Sequence, residues 1–89
     1  DAYVFRAATY RFLDKPELAL ADVERPLALA PTHAEGLLER GILRRLRQDN
    51  DGARQDWLRV LRLAPKSRAA DASRRNLEKM DVKPDEPQR

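Results

Sequence analysis

The chain repeats one short phrase at an interval of 34 residues. LALAP occupies positions 27–31 and LRLAP occupies positions 61–65, so that Pro31 and Pro65 stand 34 positions apart. The same shift superimposes further identical residues: Arg6 on Arg40, Arg11 on Arg45, Ala19 on Ala53, Asp22 on Asp56 and Arg25 on Arg59. A fixed period of this length is typical of stacked helical hairpins, in which each repeat buries its apolar face against its neighbours. The interval therefore predicts an all-α fold.

Apolar spacing and helix-boundary signals predict where the helices lie. The i, i+3, i+4 pattern and the flanking polar or proline residues indicate five helices, at about 2–13, 15–29, 34–47, 51–63 and 68–80. Pairing them in order predicts repeat one at 1–33, repeat two at 34–67 and a capping helix at 68–80, which together form a domain over 1–80. The proline-containing stretch 81–89 has no apolar period, and we expect it to be a polar tail or linker.

Local residues predict how several helices begin and bend. The segments 14–17 and 32–35 match the capping-box pattern, with Asp14 and Thr32 as the predicted caps. Ser67 is the predicted cap of the fifth helix. Pro26 lies inside the second helix, where it removes one backbone hydrogen bond, and it predicts a kink there.

Composition limits the classes of protein to which the chain can belong. Its 89 residues suit one small domain, and 42% of them are hydrophobic, which excludes a disordered chain. There is no cysteine, so disulfide and thiolate chemistry are excluded. No apolar run approaches the ~18 residues of a membrane span, and no signal-peptide pattern is present. Because the sequence begins with Asp1 and not with an initiator methionine, directly at the first predicted helix, we expect it to be part of a longer protein.

The net charge of +3 admits two interpretations. A basic chain can present a surface for polyanions. However, the basic residues are mostly arginine and are interleaved with 15 acidic residues, as on solvated helix faces. We favour the second interpretation, in which the arginine content reflects a GC-rich genome, and we expect the parent protein to be bacterial.

These residues resemble the tetratricopeptide repeat, whose signature consists of large, small and aromatic residues and a closing proline at fixed spacings. In repeat one the signature positions hold Tyr3, Arg6, Ala7, Tyr10, Ala19, Val23 and Pro31, and in repeat two they hold Leu37, Arg40, Gly41, Arg44, Ala53, Trp57 and Pro65. The resemblance covers residues 1–80 and implies a right-handed α-α superhelix of antiparallel hairpins. Arg44 departs from the pattern, because an aromatic residue is expected there.

Small and charged residues have predicted structural roles in such a fold. Ala7 and Gly41 are expected to let the helices of each hairpin approach closely, while Val23 and Trp57 fill the space between hairpins. The arginine and aspartate that repeat together predict two ion pairs, Arg6–Asp22 and Arg40–Asp56. The third member of the series, Arg74, has no corresponding aspartate in the array.

The resemblance implies a protein-interaction module, a scaffold or adaptor that binds a peptide or a partner protein on its concave face. The first helix of each hairpin would line that groove. The predicted binding residues are Val4, Phe5, Ala8, Arg11, Phe12, Glu35, Leu38, Glu39, Ile42 and Arg45. Arg11, Arg45 and Lys79 would edge the groove, and the two arginines could hold a ligand carboxylate by bidentate hydrogen bonds.

Other binding modes are less favoured. Relatives that clamp the C-terminal carboxylate of chaperones carry Lys, Arg and Asn at groove positions that here hold Val4, Ala8, Glu39, Ala69 and Ser73, so that mode is not expected. Self-association is the main alternative, as a homodimer through the uncovered apolar N-terminal helix or as part of a longer repeat protein. Nucleic acid is a weaker alternative, because the arginines between positions 40 and 62 scatter over several helix faces.

Catalysis is not expected. The lone His33 lies at a helix start, and Ser67 is explained as a cap. The stretch 47–58 is similar to a calcium loop, but Arg47 and Leu58 occupy positions where oxygen ligands are required. The sequence therefore predicts no enzyme, no small-molecule substrate, no metal and no cofactor.

Overall fold

The computed structural model describes residues 1–81, and within them it contains five helices and no strand. The helices are α1 (Ala2–Phe12), α2 (Pro16–Leu29), α3 (Ala34–Leu46), α4 (Asn50–Leu63) and α5 (Arg68–Asp81). The predicted all-α class is confirmed, and each boundary lies within one residue of its prediction. The predicted tail lies outside the described residues from position 82 onward.

The two hairpins end in the same way. After α2 the backbone N–H of Ala30 donates to the carbonyl of Pro26, and after α4 that of Ala64 donates to Val60. Ala30 has φ −140° and ψ 88°, and Ala64 has φ −143° and ψ 64°. Both residues lie outside the helical region, which the proline that follows each of them disfavours, so the helix ends there. Pro26 itself is buried within α2, which continues through it as one helix.

Helices α4 and α5 each begin at a side-chain cap supplied by a neighbouring residue. Asp49 accepts a hydrogen bond from the Gly52 amide at the start of α4, at 3.0 Å. Ser67 accepts from the Ala70 amide at 3.0 Å, which confirms the predicted cap of α5. Each of these bonds satisfies one of the amides that a helix start leaves without a partner.

The two predicted capping boxes are wrong. The residue that precedes α2 is Lys15, which makes no side-chain cap, and Asp14 adopts a left-handed φ of 58° in the turn. At α3 the cap is His33, whose Nδ1 accepts from the Gly36 amide at 2.9 Å, in place of Thr32. Imidazole nitrogen can substitute for a hydroxyl oxygen when the neutral ring presents its lone pair.

The helices pack in an order that repeats every two helices. Within each hairpin α1 packs on α2 and α3 on α4, then α2 contacts α3 and α4 contacts α5. Each odd-numbered helix also contacts the next odd-numbered helix, α1 with α3 and α3 with α5. The even-numbered helices α2 and α4 are not in contact. The odd helices thus form one continuous layer, whereas the even helices do not.

Small residues bring the helices of each hairpin together. Ala7 of α1 and Ala19 of α2 are fully buried in the first hairpin. Ala53 of α4 is fully buried in the second. In the second hairpin Gly41 lies against the buried Trp57, whose Nε1 donates to the Leu38 carbonyl at 3.2 Å. A Cβ on Gly41 would lie 2.7 Å from Cδ1 of that indole, which is closer than any real contact. The close approach predicted for Ala7 and Gly41 is therefore observed.

Both predicted ion pairs are present. Arg6 donates from Nε and Nη2 to the two carboxylate oxygens of Asp22, each at 2.7 Å. Arg40 makes the same pair of bonds to Asp56, each at 3.0 Å. The carboxylates are buried, and the bonds from Arg6 hold the pKa of Asp22 below its ordinary value.

Two arginines that depart from the repeat pattern, Arg44 and Arg74, bind partners that the pattern does not predict. Arg44, which replaces an aromatic residue, donates a third bond to Asp56 at 3.2 Å. Arg74 was expected to lack a partner, and that expectation is wrong. It pairs with Asp71 at 3.0 Å and donates to the Pro65 carbonyl at 2.8 Å. An arginine carries five N–H donors on a long stem, so several acceptors lie within its reach.

Candidate functional site

The layer of odd helices carries two concavities, and we call its outer surface the α1–α3–α5 face. The first concavity encloses about 220 Å³ between α1 and α3. The residues that line it are Asp1, Val4, Phe5, Ala8, Glu35, Leu38 and Glu39. Six of these seven are predicted binding residues, and they meet because residues three or four apart share one side of a helix.

The wall of the first concavity is apolar and partly exposed. The Phe5 side chain is 75% exposed, which is unusual for a large apolar residue in a helix that already packs on two others. Leu38 is half-buried and contacts both parts of the core. Glu35 and Asp1 lie at the rim, so this end of the face is apolar within and acidic at its edge.

The second concavity encloses about 260 Å³ between α3 and α5. The residues that line it are Ile42, Arg45, Leu46, Trp57, Asn76 and Lys79. Ile42 and Arg45 belong to the predicted set, whereas Trp57 and Asn76 were missed. A 34-residue shift places Asn76 on Ile42, so the repeat register could have identified it. The rim of this end is basic.

Arg11 and Glu39 were both predicted to contact a partner, but in the structure they bind each other. Arg11 donates from Nε to Oε2 of Glu39 at 2.6 Å and from Nη2 to Oε1 at 3.2 Å. Glu39 is buried, so the pair links α1 to α3 beneath the surface. The bidentate carboxylate contact expected of Arg11 is thus already used inside the chain.

Phe12 lies outside both concavities. Its ring is exposed and packs under the Arg11 guanidinium, 5.1 Å from the ring centroid. The structure therefore gathers eight of the ten predicted residues, six around the first concavity and two around the second, and leaves Arg11 and Phe12 outside the lining.

Of the seven arginines between positions 40 and 62, three have acidic partners among residues 1–81. Arg40 and Arg44 bind Asp56, and Arg54 binds Asp81 at the end of α5. Arg45 belongs to the second concavity. Ion pairing reduces the attraction of Arg40, Arg44 and Arg54 for phosphates. Arg59 and Arg62 line one concavity together with Arg40 and Arg44, around the Asp56 carboxylate.

The side chains that could take part in catalysis hydrogen-bond to the backbone at helix starts. His33 and Asp49 cap helices, and Ser67 does the same. Within residues 1–81 no group of three His, Cys, Asp or Glu side chains is placed to hold a metal ion. Over the same residues none of the helices combines the length and apolar character that a membrane crossing requires.

Comparisons with known proteins give two distant relatives. The chain is 37% identical over 68 residues to the mouse protein named FK506-binding protein-like, a match that covers 76% of this chain and 20% of that protein. It is 39% identical over 56 residues to human tetratricopeptide repeat protein 16, covering 63% of this chain and 6% of that protein. The chain thus spans a small part of the length of these relatives. No family model and no solved structure matches it.

Proposed function

We propose that the chain is a non-catalytic protein-interaction module built of tetratricopeptide-like repeats, which binds a peptide or a segment of a partner protein on the α1–α3–α5 face. In this proposal the two hairpins and α5 form part of a right-handed superhelix whose concave side is that face. The 34-residue period, the two-helix repeat of the packing order and the similarity to a protein named for such repeats support the repeat assignment.

The observation that carries the proposal is an exposed apolar strip between two charged rims. Phe5 and Leu38 belong to the acidic-rimmed concavity and Ile42 and Leu46 to the basic-rimmed one. Leu38 and Ile42 lie one turn apart on α3, so the two concavities are neighbours along this helix. Exposed apolar surface with a polar rim marks interaction sites on proteins that are otherwise soluble.

Peptide selection followed by substitution tests this proposal. Peptides would be selected on the chain by phage display and their affinities measured by fluorescence anisotropy. Phe5→Glu places a charge in the strip and should weaken the selected peptides at least tenfold, about 1.4 kcal/mol. Leu29→Glu is the matched control, since Leu29 is 90% exposed at the end of α2 and outside the face. Equal loss in both variants, or no loss in either, would contradict the proposed site.

Self-association through α1 is the second candidate. Tyr3 and Phe5 are both exposed on this helix, and an uncovered apolar edge can be buried against a second copy. Sedimentation equilibrium distinguishes the two cases. A dimer that Phe5→Glu converts to monomer would favour self-association, whereas a monomer at all concentrations would leave the face available for another protein.

A further inference from the structure

The two junctions between odd helices can be compared position by position. A 34-residue shift places Arg45 of α3 on Arg11 of α1, and Ser73 of α5 on Glu39 of α3. At the α1–α3 junction these positions hold the bidentate pair of Arg11 and Glu39. Because α3 packs on α5 as α1 packs on α3, the second junction has the arginine but lacks the carboxylate.

The missing carboxylate leaves two groups without their counterparts. Ser73 is fully buried, and its Oγ has no hydrogen-bond partner among the described residues. Arg45 is exposed, and within residues 1–81 no acidic side chain lies within ion-pair distance of its guanidinium. Ser73 does not line the concavity between α3 and α5, whereas Arg45 does, so it is Arg45 that can present its N–H donors to a ligand there.

The concavity beside Arg45 has the composition of an anion site. Arg45, Lys79 and Asn76 supply only cationic and amide donors together with one amide oxygen, and no acidic residue lines it. Ile42 and Leu46 supply an apolar wall. A planar guanidinium binds a carboxylate through two parallel hydrogen bonds, as Arg11 does here.

We propose that the α3–α5 concavity binds the carboxylate of an Asp or Glu side chain of the partner, and that this group gives Arg45 the bidentate acceptor that Glu39 gives Arg11 at the first junction. The proposal rests on the proposed function, because the carboxylate arrives on a peptide bound to the α1–α3–α5 face. The partner is therefore an acidic segment in which an apolar residue stands beside the Asp or Glu. That apolar residue would pack on Ile42 and Leu46.

A peptide array tests the preference. Immobilised decapeptides with alternating apolar residues would be made in matched pairs that differ by one Glu or Gln. The wild-type chain should retain the Glu member about tenfold better, as expected for one hydrogen bond to a charged group. Arg45→Gln should remove the preference. Arg62→Gln is the matched control, because Arg62 is also exposed in the last turn of its helix but lies away from this concavity.

Ser73→Glu provides a second variant with a distinct prediction. It places at the second junction the acid found at the first, so Arg45 would bind the introduced carboxylate in the way that Arg11 binds Glu39. The preference for Glu peptides would then disappear, while the binding of the Gln peptides would be unchanged. If burial of the new side chain prevents folding, Arg45→Gln alone decides the outcome. A preference that survives Arg45→Gln overturns the proposal.

A titration with acetate separates this inference from the proposed function. The Arg45 Nε–H signal in a nitrogen–proton NMR spectrum should shift with added acetate, while the Arg11 signal, already bonded to Glu39, should not. Failure of all peptides to bind would refute the proposed function, and the acetate result would still decide the carboxylate site. An Arg45 signal that acetate does not move would refute the site even if peptides bind.

Discussion

Gly41 is predicted to be the least replaceable small residue of the molecule, and Gly41→Ala tests why. The added Cβ would lie 2.7 Å from Cδ1 and 2.8 Å from Cε2 of the Trp57 indole. The ring is buried, and its Nε1 is tied to the Leu38 carbonyl, so it cannot move aside without losing that hydrogen bond. The backbone of α3 or α4 would have to shift instead.

Two opposing effects set the magnitude. Replacing a helical glycine with alanine favours the helix by about 1 kcal/mol. Overpacking a close-fitting core usually costs about 1–3 kcal/mol, and the loss of the indole hydrogen bond adds about 1 kcal/mol. We therefore expect Gly41→Ala to lower the free energy of unfolding by about 1–3 kcal/mol. For a domain of this size each kcal/mol lowers Tm by roughly 4–8 °C.

The first hairpin supplies the control, because Ala7 and Val23 occupy the positions of Gly41 and Trp57. Trp57→Val alone should cost about 3 kcal/mol or more by opening a cavity. In that background Gly41→Ala should become stabilising, since its methyl group fills part of the cavity and alanine favours the helix. The predicted signature is a change of sign between the two backgrounds.

Urea denaturation of the four proteins in this cycle, followed by far-ultraviolet circular dichroism, measures the effect. A Gly41→Ala substitution that stabilises the chain with Trp57 present would refute the steric argument. Equal effects with and without the indole would show that helix propensity, and not the contact across the hairpin, governs this position.

Two further predictions concern the buried aspartates. Arg40→Gln should lower the free energy of unfolding by only about 1 kcal/mol, because Arg44 still binds Asp56. The double substitution of Arg40 and Arg44 by Gln should lower it by about 3–5 kcal/mol, because the buried carboxylate then has no partner. If urea denaturation shows that the double variant loses only the sum of the two single losses, the two arginines do not share Asp56 as proposed. The bonds from Arg6 place the pKa of Asp22 below its ordinary 3.8, so the unfolded chain takes up that proton first as the pH falls. The stabilisation is present above about pH 4 and is lost below it, and Asp22→Asn should make the urea midpoint less sensitive to pH between about 5 and 2. An unchanged pH dependence would show that the pair contributes nothing.

Much of the fold could be predicted because its determinants lie close together in the sequence or recur. Helix boundaries follow from apolar spacing and from Pro31 and Pro65, which act on the residue immediately before them. The candidate face was also predictable, since residues of α1 and α3 three or four positions apart must share a side. The cap at His33 could not be predicted in this way. Which nearby side chain reaches the Gly36 amide depends on the geometry of the turn.

The ion pairs within the hairpins could be predicted from the sequence alone. Arg6 with Asp22 and Arg40 with Asp56 recur at one interval, so the pattern displays each contact twice. The bond between Arg11 and Glu39, in contrast, depends on how the two hairpins pack. That contact joins one hairpin to the next and has no second copy, because Ser73 replaces the acid. Its geometry depends on how α1 and α3 pack, and a long arginine side chain can reach several acceptors, so spacing alone does not select among them.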